Sequence, residues 1–193
     1  MKQILKLSLV LLLICAIVAG VLGCVNELTA SRIEALSAEK TQKAYSAVLA
    51  SPEGYQALLD KPFTLSANGQ KVKILALSRA LNGQGYVVET QFGGAQGKIT
   101  MVVGVDNEGC CTGISITKHT ETSGLGSKAA SVSEIGQSFR AQFVGQDGSL
   151  ALRKNGGEID AISGATITSK RVVNATAAAI LAVQDLLEGG EPA

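Results

Sequence analysis

From Leu7 to Val25 the chain runs for 19 residues without a formal charge. As a helix that stretch is about 28 Å long, close to the ~30 Å hydrocarbon core of a bilayer. Lys2 and Lys6 precede it and Glu27 is the first charge after it. That asymmetry predicts a single-pass segment in the cell membrane, with a cytoplasmic N-terminus and an extracytoplasmic remainder. The pattern changes at Thr29. Ile33, Leu36, Ala44, Ala47 and Val48 recur at helical spacing as far as Ala50, with Glu34, Glu39, Lys40 and Lys43 on other faces. This is a predicted helical stalk, broken at Ser51-Pro52-Glu53-Gly54 and followed by Lys61-Pro62. Four β-branched or apolar runs come next, at Lys71–Ala80, Gly85–Phe92, Lys98–Asp106 and Thr112–Lys118. Asn82-Gly83, Gly93-Gly94 and Asn107-Glu108-Gly109 separate them as hairpin turns do, which predicts an antiparallel meander. Gly113 to Thr117 alternates with period two, so one face of that strand is covered. A last helix is predicted from about Thr168 to Leu187. Val172, Val173, Thr176, Ala179, Ile180, Val183, Leu186 and Leu187 form its sheet-facing stripe, and Gly189-Gly190 end it.

The fold class is therefore α+β: one N-terminal transmembrane helix and a helical stalk, then an antiparallel sheet packed against a C-terminal helix. The segments are a membrane anchor over 1–26, a stalk or linker over 27–60 and a folded extracytoplasmic domain over 61–193. Two other readings of the apolar segment stand beside the uncleaved helix. Ala16-Ile17-Val18-Ala19-Gly20 offers a signal-peptide cleavage site, and Val21-Leu22-Gly23-Cys24 resembles a bacterial lipoprotein signal with Cys24 as the lipidated residue. All three leave the later residues outside the cytoplasm and near a membrane. The length and the helical pattern that follows favour the uncleaved helix.

Composition narrows the function classes. With 17 Lys+Arg against 16 Asp+Glu, there is no sustained positive field for a phosphate backbone, so nucleic acid is not expected as a partner. No Trp and 4% aromatics leave few stacking platforms. Of the four cysteines, Cys15 and Cys24 fall in the apolar segment, and adjacent Cys110 and Cys111 bridge only with strain. No metal-ligand spacing occurs, and at least one of the pair is expected to be a small buried residue at a strand start.

His119 is the single histidine, which leaves few candidates for acid–base work near neutral pH. Two glycine-bearing polar segments remain. Lys118–Lys128 follows a predicted strand, and Gly124 and Gly126 allow its backbone amides to approach a ligand. It lacks the third glycine of a dinucleotide fingerprint and the Gly-Lys-Ser/Thr of a phosphate loop, so by itself it reads as a surface loop. Asp160–Lys170 runs into the last helix, whose N-terminal amides suit a phosphate. Gly164 and Ala165 leave room for a bulky group to reach Thr166. On physical grounds alone, capping of the first turn by Thr166 or Thr168 is favoured.

At these two segments the chain resembles a known family. Asp160-Ala161-Ile162-Ser163-Gly164-Ala165-Thr166 is similar to the D-x-x-S/T-G-A-T/S acceptor motif of covalent flavoproteins, in which a flavin transferase joins the phosphate of FMN to the final hydroxyl. His119-Thr120-Glu121-Thr122-Ser123-Gly124-Leu125-Gly126 resembles the H-x-E-T-P-G-L-G loop of the same FMN-binding domain. Ser123 stands where the family has proline, which loosens the loop without removing a functional group. Size, N-terminal helix and motif order resemble the G subunit of the Rnf electron-transport complex over essentially the whole chain.

The resemblance implies an electron-carrying subunit of an ion-translocating ferredoxin:NAD⁺ oxidoreductase, with FMN in phosphoester linkage to Thr166. No independent substrate site is expected. Ser163 and Thr168 are implied donors to the phosphate, and Asp160 is either a recognition element for the transferase, which the resemblance favours, or simply a turn cap. Glu121, Thr122, Leu125 and Gly126 would border the isoalloxazine ring, while His119 either contacts the flavin or orients the loop. The implied partners are the other Rnf-type membrane and iron–sulfur subunits, notably the D subunit with its own covalent flavin. A separate transferase suits a chain with no base beside its hydroxyl, since an unactivated alcohol is a poor nucleophile. A covalent tether keeps a cofactor from being diluted away outside the cytoplasm. Three alternatives accompany this reading: the usually longer C subunit of the sodium-pumping NADH:quinone oxidoreductase, a surface-anchored flavoprotein serving extracellular acceptors, and a non-redox module whose motifs are only a loop and a cap.

Overall fold

The structure, a computed structural model, describes residues 2–189. Its first element, α1, spans Lys2–Val48. It is long and apolar enough to cross a membrane, with a mean hydropathy of 2.9 in its most apolar window and none of that window buried within the chain. The chain divides into two compact units between Lys40 and Thr41. The last turns of α1 therefore belong to the folded unit, which starts before the 61–193 segment read from the sequence. Of the predicted stalk stripe, Ala44 and Val48 are buried there, whereas Ile33, Leu36 and Ala47 are exposed.

Six strands form one antiparallel sheet: β1 (Tyr55–Ala57), β2 (Phe63–Ala67), β3 (Gln70–Ala80), β4 (Gly85–Gly93), β5 (Lys98–Asp106) and β6 (Cys111–His119). The order is β1-β3-β4-β5-β6, with β2 also paired to β3. The predicted meander is β3 through β6. β1 and β2 add to it by sharing one neighbour: β1 pairs with Ser78–Ala80 and β2 with Gln70–Ile74. Register shifts between β5 and β6 fall at Thr100/Met101 and Gly104/Val105. Bulges of this kind increase local strand twist.

Both faces of the sheet are covered, so its central strands read as continuous apolar runs rather than alternating ones. On one face Val88, Met101, Val103 and Val105 pack with the C-terminal helix, α3 (Thr166–Leu187). On the other, Val87, Val102 and Ala80 pack with Ala44, Val48 and Leu49. Gly104 and Gly113 pair across β5 and β6 beneath that helix end. A Cβ on Gly104 would stand 2.7 Å from the Val48 carbonyl oxygen, and the Thr112 hydroxyl donates to that oxygen at 2.6 Å.

Between β6 and α3 lie a 3₁₀ turn (Gly126–Ala130), the short helix α2 (Glu134–Ala141) and a second 3₁₀ turn (Arg153–Asn155). This segment sends Phe139, Phe143, Leu150, Leu152 and Ile159 into the core shared with α3. Val172 through Ile180 are consequently all buried, so α3 is covered on every side and not only along the predicted stripe. At its C-terminal end Leu187 is exposed. Gly189 ends the helix with φ +90°, donating its N–H to Leu186, while Gly190 lies outside the described residues. Cys111, at the start of β6, is buried and free, as expected for one of the pair; burial pushes its thiol up to about 12.

Candidate functional site

The site is built at the start of α3. A helix leaves its first backbone N–H groups without intrahelical partners, and Ser, Thr, Asp or Asn at the N-cap usually bonds one of them. Here the N-cap is Ala165, and no side chain caps the helix. Among the described residues nothing pairs with the N–H groups of Thr166, Ile167 and Thr168. The expected capping by Thr166 or Thr168 does not occur. The Thr168 hydroxyl is turned instead to Glu121, donating to its Oε2 at 2.5 Å.

Glu121 is the junction of three segments. It follows β6, is buried, and accepts the Thr168 hydroxyl on one oxygen and the Gln96 N–H on the other at 3.1 Å. Gln96 lies in the tip joining β4 and β5, which is closed by Gly94 donating to Gly97 at 2.6 Å. Gly94 and Gly126 press against the carboxylate so closely that a Cβ on either would collide with it. One carboxylate thus joins the hairpin tip, the loop after β6 and the first turn of α3.

These segments enclose a cleft of about 340 Å³ lined by Glu121, Thr122, Leu125, Gly126, Gly164, Ala165, Thr166 and Thr168, together with Ala95, Gln96 and Ile167. Eight of the residues expected around the ligand are therefore brought together. Leu125 and Ile167 supply an exposed apolar rim. Gly164 takes φ +77°, and a Cβ there would stand 3.2 Å from the Leu125 side chain. Thr166 and Ile167 also line a neighbouring depression of about 400 Å³ that carries Lys154, Lys170 and Arg171.

Three expected residues lie off the cleft lining. Asp160 is exposed and held by Arg153 through two contacts, Nε to Oδ1 at 2.7 Å and Nη2 to Oδ2 at 3.0 Å. Those hydrogen bonds hold its carboxyl below the usual carboxylate range. Ser163 is exposed on the turn before Ala165. His119 ends β6 opposite Ile99, with a buried Nδ1 that has no hydrogen-bond partner among the described residues.

Comparison with known proteins gives matches at both ends of the chain. Residues 94–181 match the FMN-binding domain and residues 1–48 match the RnfG N-terminal region. The chain is 32% identical to the G subunit of an ion-translocating oxidoreductase complex from Methanosarcina acetivorans, over 93% of this chain and 94% of the relative. It is 31% identical to the G subunit of the Na⁺-translocating ferredoxin:NAD⁺ oxidoreductase complex from Acetobacterium woodii, over 96% and 94% of the two chains. A third relative, the G subunit of the ion-translocating oxidoreductase complex from Cronobacter sakazakii, is 34% identical over 96% and 93%. The chain belongs to the family of Rnf-complex G subunits.

In this family member the FMN-binding match begins at Gly94, the hairpin tip that contacts Glu121, and it runs through Thr166. The donor set fits the cofactor: unpaired amides and a threonine hydroxyl suit a phosphate, and an apolar rim suits a flat ring. Sequence reading misses Ala95, Gln96 and Ile167. The tip is visible as Gly93-Gly94 but reads only as a turn, because what Gln96 contributes to the Glu121 junction is a backbone N–H that any residue except proline would supply.

Proposed function

We propose that this chain carries electrons within a membrane-bound, ion-translocating ferredoxin:NAD⁺ oxidoreductase complex, through FMN joined by a phosphoester bond to Thr166. The observation that carries the reading is the uncapped start of α3. Thr166 opens the helix beside unpaired N–H groups and lines the cleft inside the matched FMN-binding domain. Oγ1 of Thr166 would form the bond to phosphorus. A flavin transferase would present FMN activated as a phosphoanhydride; as the new P–O bond forms, the anhydride P–O bond breaks, its other phosphate leaves with the electron pair, and the hydroxyl proton passes to a base of the transferase. Recognition by that enzyme is assigned to Asp160, which Arg153 holds on the surface.

The remaining residues bind and orient. A phosphodiester at Thr166 keeps one negative charge, which the free N–H groups and the helix dipole stabilise. Lys154, Lys170 and Arg171 add positive charge in the adjoining depression. Thr168 serves by fixing Glu121, while Ser163 lies exposed beside the acceptor. Thr122, Leu125 and Gly126 border the ring, with Leu125 and Ile167 excluding water from its apolar part. His119 sits behind the loop as its orienting residue. When bound, FMN supplies the redox chemistry, and the protein contributes position and electrostatics.

The basic-first flanking charges of α1 support a cytoplasmic N-terminus and an extracytoplasmic flavin domain. The other membrane and iron–sulfur subunits, including the D subunit, are then the partners that exchange electrons with it. The test is the intact and peptide mass of the protein from its own cells. A mass increase of FMN less one water on the Thr166 peptide is expected, and Thr166→Ala should abolish it while leaving the fold. Unmodified Thr166, or flavin retained covalently by Thr166→Ala, would overturn the assignment.

A further inference from the structure

We propose that Ser169 is a positioning residue for the Thr166 hydroxyl, and thereby for flavin attachment; the inference rests on the covalent reading above. Ser169 is fully buried in the first turn of α3. Its Oγ accepts the N–H of Ile162 at 3.0 Å and donates to the carbonyl of Ala165 at 3.0 Å. The same carbonyl accepts the Ser169 N–H at 2.9 Å, and the N–H of Ala165 reaches the carbonyl of Ile162 at 2.9 Å. One hydroxyl therefore ties both ends of the Ile162–Ala165 turn to the body of the helix.

Ile162 and Ala165 are also buried in the core, but beyond the bonds above no hydrogen bond holds the turn among the described residues. Between the two tied ends, Ser163 and Gly164 are exposed, and neither makes a hydrogen bond among the described residues. Gly164 takes a left-handed conformation, φ +77°, which the chain adopts to bring Ala165 back under the helix. A serine bonding back to the carbonyl four residues earlier ordinarily does little for a helix. Here that carbonyl belongs to the N-cap, and the second lone pair catches a donor that has no other partner. Ser169 thus anchors the entry to the helix without capping it, and the amides beside Thr166 stay free.

Without the Ser169 hydroxyl the Ile162 N–H is orphaned in a buried setting, so the turn must shift to find water. Thr166 follows Ala165 directly and moves with it. Bond formation at phosphorus depends on where the attacking oxygen stands, and a displacement of about 1 Å costs up to roughly a hundredfold in rate.

The experiment is a time course of flavin incorporation into the detergent-purified full chain by the flavin transferase of its host, followed by intact mass. Ser169→Ala should incorporate flavin about tenfold to a hundredfold more slowly than wild type, with faster hydrogen exchange at the Ile162 amide. Val173→Ala, a cavity in the same helix away from the turn, should incorporate at the wild-type rate. Equal rates for Ser169→Ala and wild type would overturn the proposal. So would a Val173→Ala chain that is slowed as much, since lost stability would then explain the effect. If the alanine variant does not fold, Ser169→Cys keeps the volume while weakening both hydrogen bonds, and the same outcomes decide. A wild-type chain that takes up no flavin would overturn the covalent reading itself, and the exchange rate at Ile162 would then report the turn alone.

Discussion

Position 165 decides what the first turn of α3 can do. An Asp or Ser there would place its own oxygen on the amides that Ala165 leaves free. With the cap absent, the turn is held from two other directions, by Ser169 on the helix side and by Glu121 on the cleft side. The Glu121 carboxylate is buried, and its Oε2 has Thr168 as its hydrogen-bond partner. Thr168→Val keeps the shape and removes the donor, leaving a buried oxygen unsatisfied at a cost of about 1–3 kcal/mol. A lower melting temperature is expected for Thr168→Val in the full chain in detergent, and near-wild-type melting for Thr168→Ser. If the serine variant melts as low as the valine one, the methyl contact matters and the hydrogen bond does not.

At the scale of elements, the sheet is where sequence and structure agree most closely. β3 to β6 are long, rich in β-branched residues and separated by Asn82-Gly83, Gly93-Gly94 and Asn107-Glu108-Gly109, so each carries its own local signal. β1 and β2 carry almost none: they are short, flanked by Pro52 and Pro62, and exist because both halves of β3 offer an edge. α2 and the two 3₁₀ turns are also silent, since their few buried residues, such as Phe139 and Phe143, make sense only against α3. The acceptor segment and the loop from His119 to Gly126 are legible as motifs. What connects them is not, because the contact between Glu121 and Thr168 spans distant parts of the chain. Gly104 shows the same limit, since nothing around it signals that the end of α1 lies against it. Gly104→Ala should destabilise by about 1–3 kcal/mol, because a Cβ there meets both the Thr112 hydroxyl and the Val48 carbonyl it bonds, and the Val48 backbone cannot turn away. Gly93→Ala, with open space around it, should stay within about 0.5 kcal/mol of wild type. Thermal melts of the two variants in detergent measure the difference.

For the molecule as a whole, the boundary at Lys40/Thr41 separates a helical segment with no core of its own from a unit whose core starts at Ala44. A chain beginning at Thr41 keeps Ala44, Val48 and Leu49 over Val87 and Val102, and it keeps the Thr112–Val48 hydrogen bond. It also retains the ring contact between Tyr45 and Tyr55, whose centroids are 5.2 Å apart. It should therefore be soluble without detergent, melt cooperatively and accept flavin from the transferase at the rate of the full chain. Starting at Ser51 removes every one of those contacts while sparing all residues of the cleft. Burial of a Val or Leu side chain contributes roughly 1.5–3 kcal/mol, so losing Val48 and Leu49 alone removes about 3–6 kcal/mol. A domain of this size has only about 5–15 kcal/mol in total. The shorter chain should melt far lower or not cooperatively, and its bared Val87 and Val102 should drive association. Circular dichroism melts and light scattering on the two truncated chains compare them directly. Equal stability would mean that the helix end is a tether resting on the sheet; the predicted loss would make it part of the flavin domain's core.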